Sequence, residues 1–218
     1  MKTQILSLLC CLFAWLLPVQ AQDSPNIRDF SWKKVADRML DEWYGGQQAR
    51  ASFDKGIGCI LKTQIRVDGK PTVWCAQHDE HTFAPAPARA YELASFSGAE
   101  SASIVALLMS IPDPSPEIVA AVKGAVAWFE THAVKDIRVE RVPGGSPKGD
   151  ARVVSAPGNV LWARFYDLET GKPFFCGRGG VKHATLAEIE KERRGGYSWY
   201  TNAPQRVLDR YAKWISGI

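Results

Sequence analysis

The sequence predicts a mainly α-helical protein, a bundle or toroid of antiparallel helical hairpins with long loops and short β-hairpins. Three observations lead there. Apolar residues recur at helical spacing through much of the chain. Capping signatures open three of these runs, at Ser97 with Glu100, at Ser115 with Pro116, and at Thr185 with Glu188. Gly- and Pro-rich segments separate the runs and supply the polar loops on which such folds carry their sites.

The elements follow in order. MKTQILSLLCCLFAWLLPVQA (1–21) has Lys2, an apolar run from Ile5 to Val19 and a small-residue exit at Val19-Gln20-Ala21. It reads as a secretory signal peptide cleaved near Ala21, because the run falls short of the ~20 residues of a spanning helix and no second span follows. The expected mature chain is then residues 22–218, a single secreted or periplasmic domain with no membrane association. SWKKVADRMLDEWYGG (31–46) places Val35, Leu40 and Trp43 at helical spacing and stops at a glycine pair. QARASFDKGIGCILKTQI (48–65) reads as a second helix, weakened by Gly56 and Gly58. VDGKPTVW holds an Asp-Gly turn between extended pieces and predicts a hairpin.

Residues 98–111 and 117–130 predict two amphipathic helices joined by PDPSP. Ile118, Val122, Ala125, Val126 and Phe129 share one face of the second, and the short link predicts antiparallel packing. The stretch 137–180 is rich in Gly and Pro, with strand-like pieces and a hairpin expected around Thr170-Gly171. A helix from Thr185 to Gly195-Gly196 and a last one from Pro204 to about Trp214 complete the reading.

Composition excludes several classes of function. The formal net charge is +4 with basic residues scattered, so no run suggests nucleic acid. Three cysteines follow the leader, Cys59, Cys75 and Cys176; Cys59 and Cys75 could pair, leaving Cys176 buried or free, and no spacing resembles a zinc site. No Gly-x-Ser-x-Gly elbow and no glycine-rich phosphate loop is present. Arginine stands beside aromatic residues in WARFYD, GRGG and RRGGYSWY. A guanidinium fork and exposed rings suit an anionic polysaccharide, although arginine beside aromatics also occurs in ordinary cores.

The cluster His78-Asp79-Glu80-His81 invites a metal reading. Its histidines are three apart and proline follows at 85 and 87, so a loop bonded to its own backbone is the better account. His78 and Asp79 are expected to orient the loop that leads to Arg89.

GIGCILKTQIRVDGKPTVWCAQHDEHTFAPAPARAYELASFSGAES, with LWARFYDLETGKPFFCGR and RRGGYSWYTNAP, closely resembles the pectate lyases of polysaccharide lyase family 10, over roughly residues 51 to 205. The resemblance implies a partial (α/α) toroid of helical hairpins, cleavage of polygalacturonate by β-elimination, and calcium as cofactor. It places the C5 proton abstractor on Arg89, in PARAYE. It assigns the uronate carboxylates to Lys62 in CILKTQ, Arg164 in WARFY and Arg178 in CGR. The chain departs from the family at one place. WYGGQQARASFDKGIGCILKTQ passes directly from a segment resembling the family's opening helix into its second half. The hairpins expected between them, with the aspartate loops that resemble calcium ligands in relatives, have no counterpart, so an internal shortening is expected near 50–51. An inactive or weakly polygalacturonate-binding remnant is the alternative this departure leaves open.

Overall fold

The computed structural model describes residues 47–143 and 149–218, all within the unit Trp32–Ile218. The leader expected at 1–21 and the helix expected at 31–46 lie outside the described residues. The first described helix, α1 (Gln47–Thr63), runs unbroken through positions 50–51 and ends where Thr63 Oγ1 bonds back to the Cys59 and Ile60 carbonyls. The Asp-Gly turn follows, with Asp68 and Gly69 both at positive φ, the geometry that matches the twist of a two-residue hairpin. It joins β1 (Arg66–Val67) to β2 (Lys70–Pro71) in antiparallel register.

After β3 (Phe96–Ser97), the Ser97 hydroxyl accepts from the Glu100 amide and opens α2 (Gly98–Leu108). Ser115 caps α3 (Pro116–Thr131) in the same way, with Pro116 in the first turn. The helices α2, α3 and α5 (Ala203–Ile215) pack around one core, where Val105, Leu108, Val122, Ala125 and Phe129 are fully buried. The polar edges of three buried aromatic side chains are satisfied. Trp162 Nε1 donates to the Phe129 carbonyl at 2.9 Å, Trp74 Nε1 to the Ile60 carbonyl at 2.7 Å, and the Tyr166 hydroxyl to the His132 carbonyl at 2.8 Å.

The expectation of a mainly α partial toroid is overturned by the sheets. The strands β4 (Val134–Val142) and β5 (Asp150–Ala163) form a long antiparallel ladder, and β9 (Tyr200–Thr201) adds to the end of β5. Three further two-stranded pairs are formed among the described residues. They are β1 with β2, β3 with β6 (Phe165–Tyr166), and β7 (Phe175–Cys176) with β8 (Lys182–His183). The physical reason lies in Pro157-Gly158, which breaks the apparent strand pattern in sequence. The register shifts between Lys135 and Ile137, Asp136 takes a positive φ of 61°, and the Gly158 amide donates to Asp136 Oδ1 at 2.7 Å. A bulge thus absorbs the proline and the strand continues. The expected helix at 185–196 is also two pieces, a 3₁₀ turn (Leu186–Glu188) and a short α4 (Lys191–Gly196). The Glu188 carboxylate accepts the Thr185 amide at 2.7 Å, so the box forms but caps only one turn.

A second, aromatic core of Phe165, Phe174, Phe175, Cys176, Leu186, Ile189 and Trp199 fills the space beneath these short strands. The three cysteines among the described residues are free, so Cys59 and Cys75 do not pair; Cys59 is exposed, and Cys75 and Cys176 are buried.

Gly124 in α3 and Gly56 in α1 should respond to substitution with opposite signs. A side chain at Gly124 would fall on the Pro71 carbonyl oxygen and within 2.8 Å of Pro71 Cγ, whereas Gly56 faces open space. Gly124→Val should cost about 1–3 kcal/mol by overpacking. Gly56→Ala should gain roughly 0.5–1 kcal/mol by backbone entropy. Urea midpoints at constant slope measure both.

Candidate functional site

Two loops with the same spacing, Asp-x-x-Thr-x-x-Pro, build the frame of the site. One runs from Asp79 to Pro85 and the other from Asp167 to Pro173. In the first, Asp79 Oδ1 accepts from the His81 amide at 3.0 Å, the Thr82 amide at 2.7 Å and the Thr82 hydroxyl at 2.8 Å. In the second, Asp167 Oδ1 accepts from the Glu169 amide at 3.1 Å, the Thr170 amide at 2.9 Å and the Thr170 hydroxyl at 3.1 Å. Each threonine hydroxyl then accepts the amide two residues on, from Ala84 and Lys172, both at 3.3 Å. Each turn is closed by a bridge, His78 with Pro85 and Tyr166 with Pro173. The fifth position is left-handed in both, Phe83 at φ 60° and Gly171 at φ 65°.

These bonds settle what the acidic and histidine cluster does. Asp79 is held below the usual carboxylate range, chiefly by the Thr82 amide. His78 Nε2 accepts the Cys75 amide at 3.1 Å, which leaves Nδ1 as the donor to the Phe83 carbonyl at 3.0 Å. Both ring nitrogens are engaged in holding the turn. The His81 side chain is exposed and lies 3.5 Å from the Glu80 carboxylate.

The chain then leads to Arg89, which forms a bidentate pair with Glu92, Nε to Oε2 at 2.7 Å and Nη2 to Oε1 at 2.5 Å. This pairing raises the arginine pKa above its ordinary value and lowers that of the glutamate. Arg89, Glu92, Glu100, Arg164 and Tyr197 line a cavity of about 210 Å³. The Tyr197 hydroxyl donates to Glu92 Oε1 at 2.8 Å, and burial with that partner pushes its pKa up to about 12. Arg164 enters from the end of β5, pairs with Glu100 and lies 4.7 Å from the Tyr197 ring. Glu100 therefore serves both the Ser97 cap and the arginine.

The remaining expected residues stand differently. Arg178 does not line that cavity; it pairs with Glu192 and sits 5.0 Å from the Tyr91 ring, to which Arg89 also lies close, at 5.4 Å. Lys62, in the last turn of α1, is exposed and faces Phe83 at 5.7 Å, away from the cavity lining. Reading the sequence singled out RRGGYSWY but not what its members do. Arg194 clamps Asp150 on β5 at 2.8 and 2.7 Å, while Arg193 is buried among Tyr91, Tyr197 and Trp199. Tyr91 and Glu192 are not marked by the sequence, and Glu100 is marked only as the capping partner of Ser97. The repeated Asp-x-x-Thr-x-x-Pro spacing was the available signal for the frame.

The carboxylates of the cavity do not fit a calcium ion. A hard cation takes six to eight oxygens, while Glu92 and Glu100 are each turned to a guanidinium. Among the described residues no three His, Cys, Asp or Glu side chains group as metal ligands.

The cavity thus combines two arginine forks with the Tyr197 ring, groups of the kind that pair with carboxylates. The profile of the pectic acid lyase family matches residues 32–208, and the chain belongs to that family. Two solved structures are similar to it: the family 10 polysaccharide lyase from Cellvibrio cellulosa, and an aspartate-to-alanine mutant of that enzyme in complex with trigalacturonic acid. Each is 33% identical, with a TM-score of 0.68, covering 83% of this chain and 58% of the solved one. The chain thus spans 58% of the length of these relatives. A comparison with curated proteins returns no match.

The two aspartate turns predict how stability depends on acid. Asp167 is held below its ordinary value of 3.8, first by Lys182 and then by the Thr170 amide, and Asp79 below 3.8 by its turn. Unfolded aspartates bind protons at higher pH than these do, so their contribution is fully present above the ordinary value and is lost as pH falls below it. Thermal melting should show Tm dropping as pH falls below 3.8, with a shallower drop in Asp167→Asn, which starts from a lower Tm at neutral pH.

Proposed function

We propose that the protein binds polygalacturonate at the arginine cavity and, as a pectate lyase, cleaves it by β-elimination with Arg89 abstracting the C5 proton. The single observation that carries this reading is the convergence of Arg89 and Arg164 on one cavity walled by Tyr197, in a chain of the pectic acid lyase family. The C5 proton lies α to a carboxylate whose negative charge opposes its removal. Guanidinium groups aimed at that carboxylate stabilise the enolate-like transition state. In the elimination, the C5–H electrons form the C4–C5 double bond, the C4–O bond breaks, and the departing oxygen takes a proton from water. Arg89 must leave Glu92 and be unprotonated to accept the proton, since the pair works against a free base. Arg164 and Arg178 take uronate carboxylates in this reading, and Lys62 takes one further along the chain. Calcium is implied by the family, but the donor set described above does not hold it, and no step is assigned to it. Export, as the leader 1–21 suggests, puts the protein where a polysaccharide is.

A second reading, binding without turnover, is favoured by the 58% span of the solved relatives and by the engaged carboxylates. One experiment separates the two. Trigalacturonate is titrated calorimetrically, and polygalacturonate turnover is followed by ultraviolet absorbance of the unsaturated product. Turnover supports the lyase, binding alone supports the second reading, and neither rejects both. Where turnover is present, Arg89→Lys should lower kcat by about 10²-fold or more while changing the affinity for trigalacturonate little. A chelator should leave trigalacturonate binding unchanged; its loss would reveal oxygen ligands beyond the cavity.

A further inference from the structure

Three guanidinium groups face one aromatic ring. Arg193 lies 4.5 Å from the Tyr91 centroid, Arg178 5.0 Å and Arg89 5.4 Å. The three differ sharply in freedom. Arg193 is 5% exposed, and its amide bonds to the Glu190 carbonyl at 2.9 Å. Trp199 Nε1 donates to the Arg193 carbonyl at 2.9 Å. The side chains of Arg89 and Arg178 are 62% and 54% exposed, each tethered to a glutamate. Long exposed side chains lose rotamer entropy when fixed, so something must hold them in place for a ligand to find them together.

Arg193 also carries a polar atom that the fold leaves open. Its Nε donates to the Cys176 carbonyl at 3.4 Å, but its buried Nη2 has no hydrogen-bond partner. A buried donor without a partner is costly. Here the ring faces of Tyr91, Tyr197 and Trp199, at 4.5, 4.5 and 5.1 Å, take the place of acceptors. A charge is thus kept in the aromatic core against the cost of burying it, and the ring it shares with the two exposed arginines is that of Tyr91.

We propose that Tyr91 is a positioning residue of the site, held by the buried Arg193, and that its ring sets the separation of Arg89 and Arg178. Arg193 meets neither of the two directly in any hydrogen bond or ion pair; it acts through the ring. The consequence for uronate binding rests on the pectate reading above, while the spacing itself does not.

The test uses the full chain labelled with 15N at arginine, with the Nε–Hε signals followed by NMR. Arg194, clamped on Asp150, is the reference for an intact fold. Tyr91→Phe keeps the ring and should leave the Arg89 and Arg178 signals in place. Tyr91→Leu should shift both while the Arg194 signal stays. Arg193→Met should shift both as well, and Arg193→Lys should restore them in part. In calorimetric titration with trigalacturonate, Tyr91→Leu should weaken binding about tenfold and Tyr91→Phe less than twofold. Unmoved Arg89 and Arg178 signals in Tyr91→Leu would overturn the proposal, as would a Tyr91→Phe variant no better than Tyr91→Leu. If Arg193→Met unfolds, as a loss of the Arg194 signal would show, the Tyr91 pair decides alone. If the unmutated chain does not bind trigalacturonate, the pectate reading falls and the NMR shifts still decide the positioning role.

Discussion

Gathering cations on one side of a small aromatic core carries an electrostatic cost, and the placement of the loops follows from how that cost is offset. Arg89, Arg164 and Arg178 each meet a carboxylate, from Glu92, Glu100 and Glu192. Arg193 meets rings instead. Tyr197 links the two solutions, because its ring faces Arg164 and Arg193 while its hydroxyl donates to Glu92. The residue therefore belongs at once to the satellite core and to the cavity wall. Its burial raises the phenol pKa, which keeps the hydroxyl a donor at any ordinary pH.

The scaffold that delivers these groups is backbone geometry more than hydrophobic packing. In the two Asp-x-x-Thr-x-x-Pro turns a single carboxylate oxygen gathers three donors, so a six-residue excursion is closed without a core of its own. Arg89 follows one turn and Arg178 the other, and the two side chains meet at Tyr91. The left-handed position is glycine in one turn and Phe83 in the other. A phenylalanine there is strained. Its carbonyl receives the His78 ring, and its own ring faces Lys62, so contacts made on both sides of the residue offset that strain.

Local chemistry was legible in the sequence wherever one or two residues decide the outcome. The Ser97 and Ser115 caps and the Asp68-Gly69 turn all appear where their residue types demanded them. Strand content was not legible, because Pro157-Gly158 looks like a break until Asp136, some twenty residues earlier, is seen to supply the acceptor that turns the break into a bulge. The division of labour between Arg193 and Arg194 was hidden for a similar reason. Adjacent and chemically identical, they differ only in what the tertiary fold sets opposite them, Asp150 for one and three rings for the other. The resemblance to a family named Lys62, Arg89, Arg164 and Arg178; Arg89 meets Glu92 three residues on, but the partners of Arg164 and Arg178, Glu100 and Glu192, lie 64 and 14 residues away in sequence.

The site is close to electrical balance before any ligand arrives. Arg89, Arg164, Arg178 and Arg193 stand among Glu92, Glu100, Glu190 and Glu192, the last two also receiving the backbone and side chain of Arg178. On the proposed function, a uronate entering this cavity would not add a counter-charge to a bare cationic surface. It would exchange places with a glutamate that is already there. At Arg89 the Tyr197 hydroxyl already donates to Glu92, and this bond would keep a displaced carboxylate partnered in its partly buried wall. The net gain from an exchange is small and is screened by salt. If the Tyr91 ring sets the separation of Arg89 and Arg178 as proposed, selectivity would depend less on total charge than on whether a ligand presents its carboxylates at that spacing. On the proposed readings that requirement would suit a regular polymer of uronic acid better than an isolated anion, and recognition would rest on Tyr91 and Tyr197 as well as on the arginines beside them.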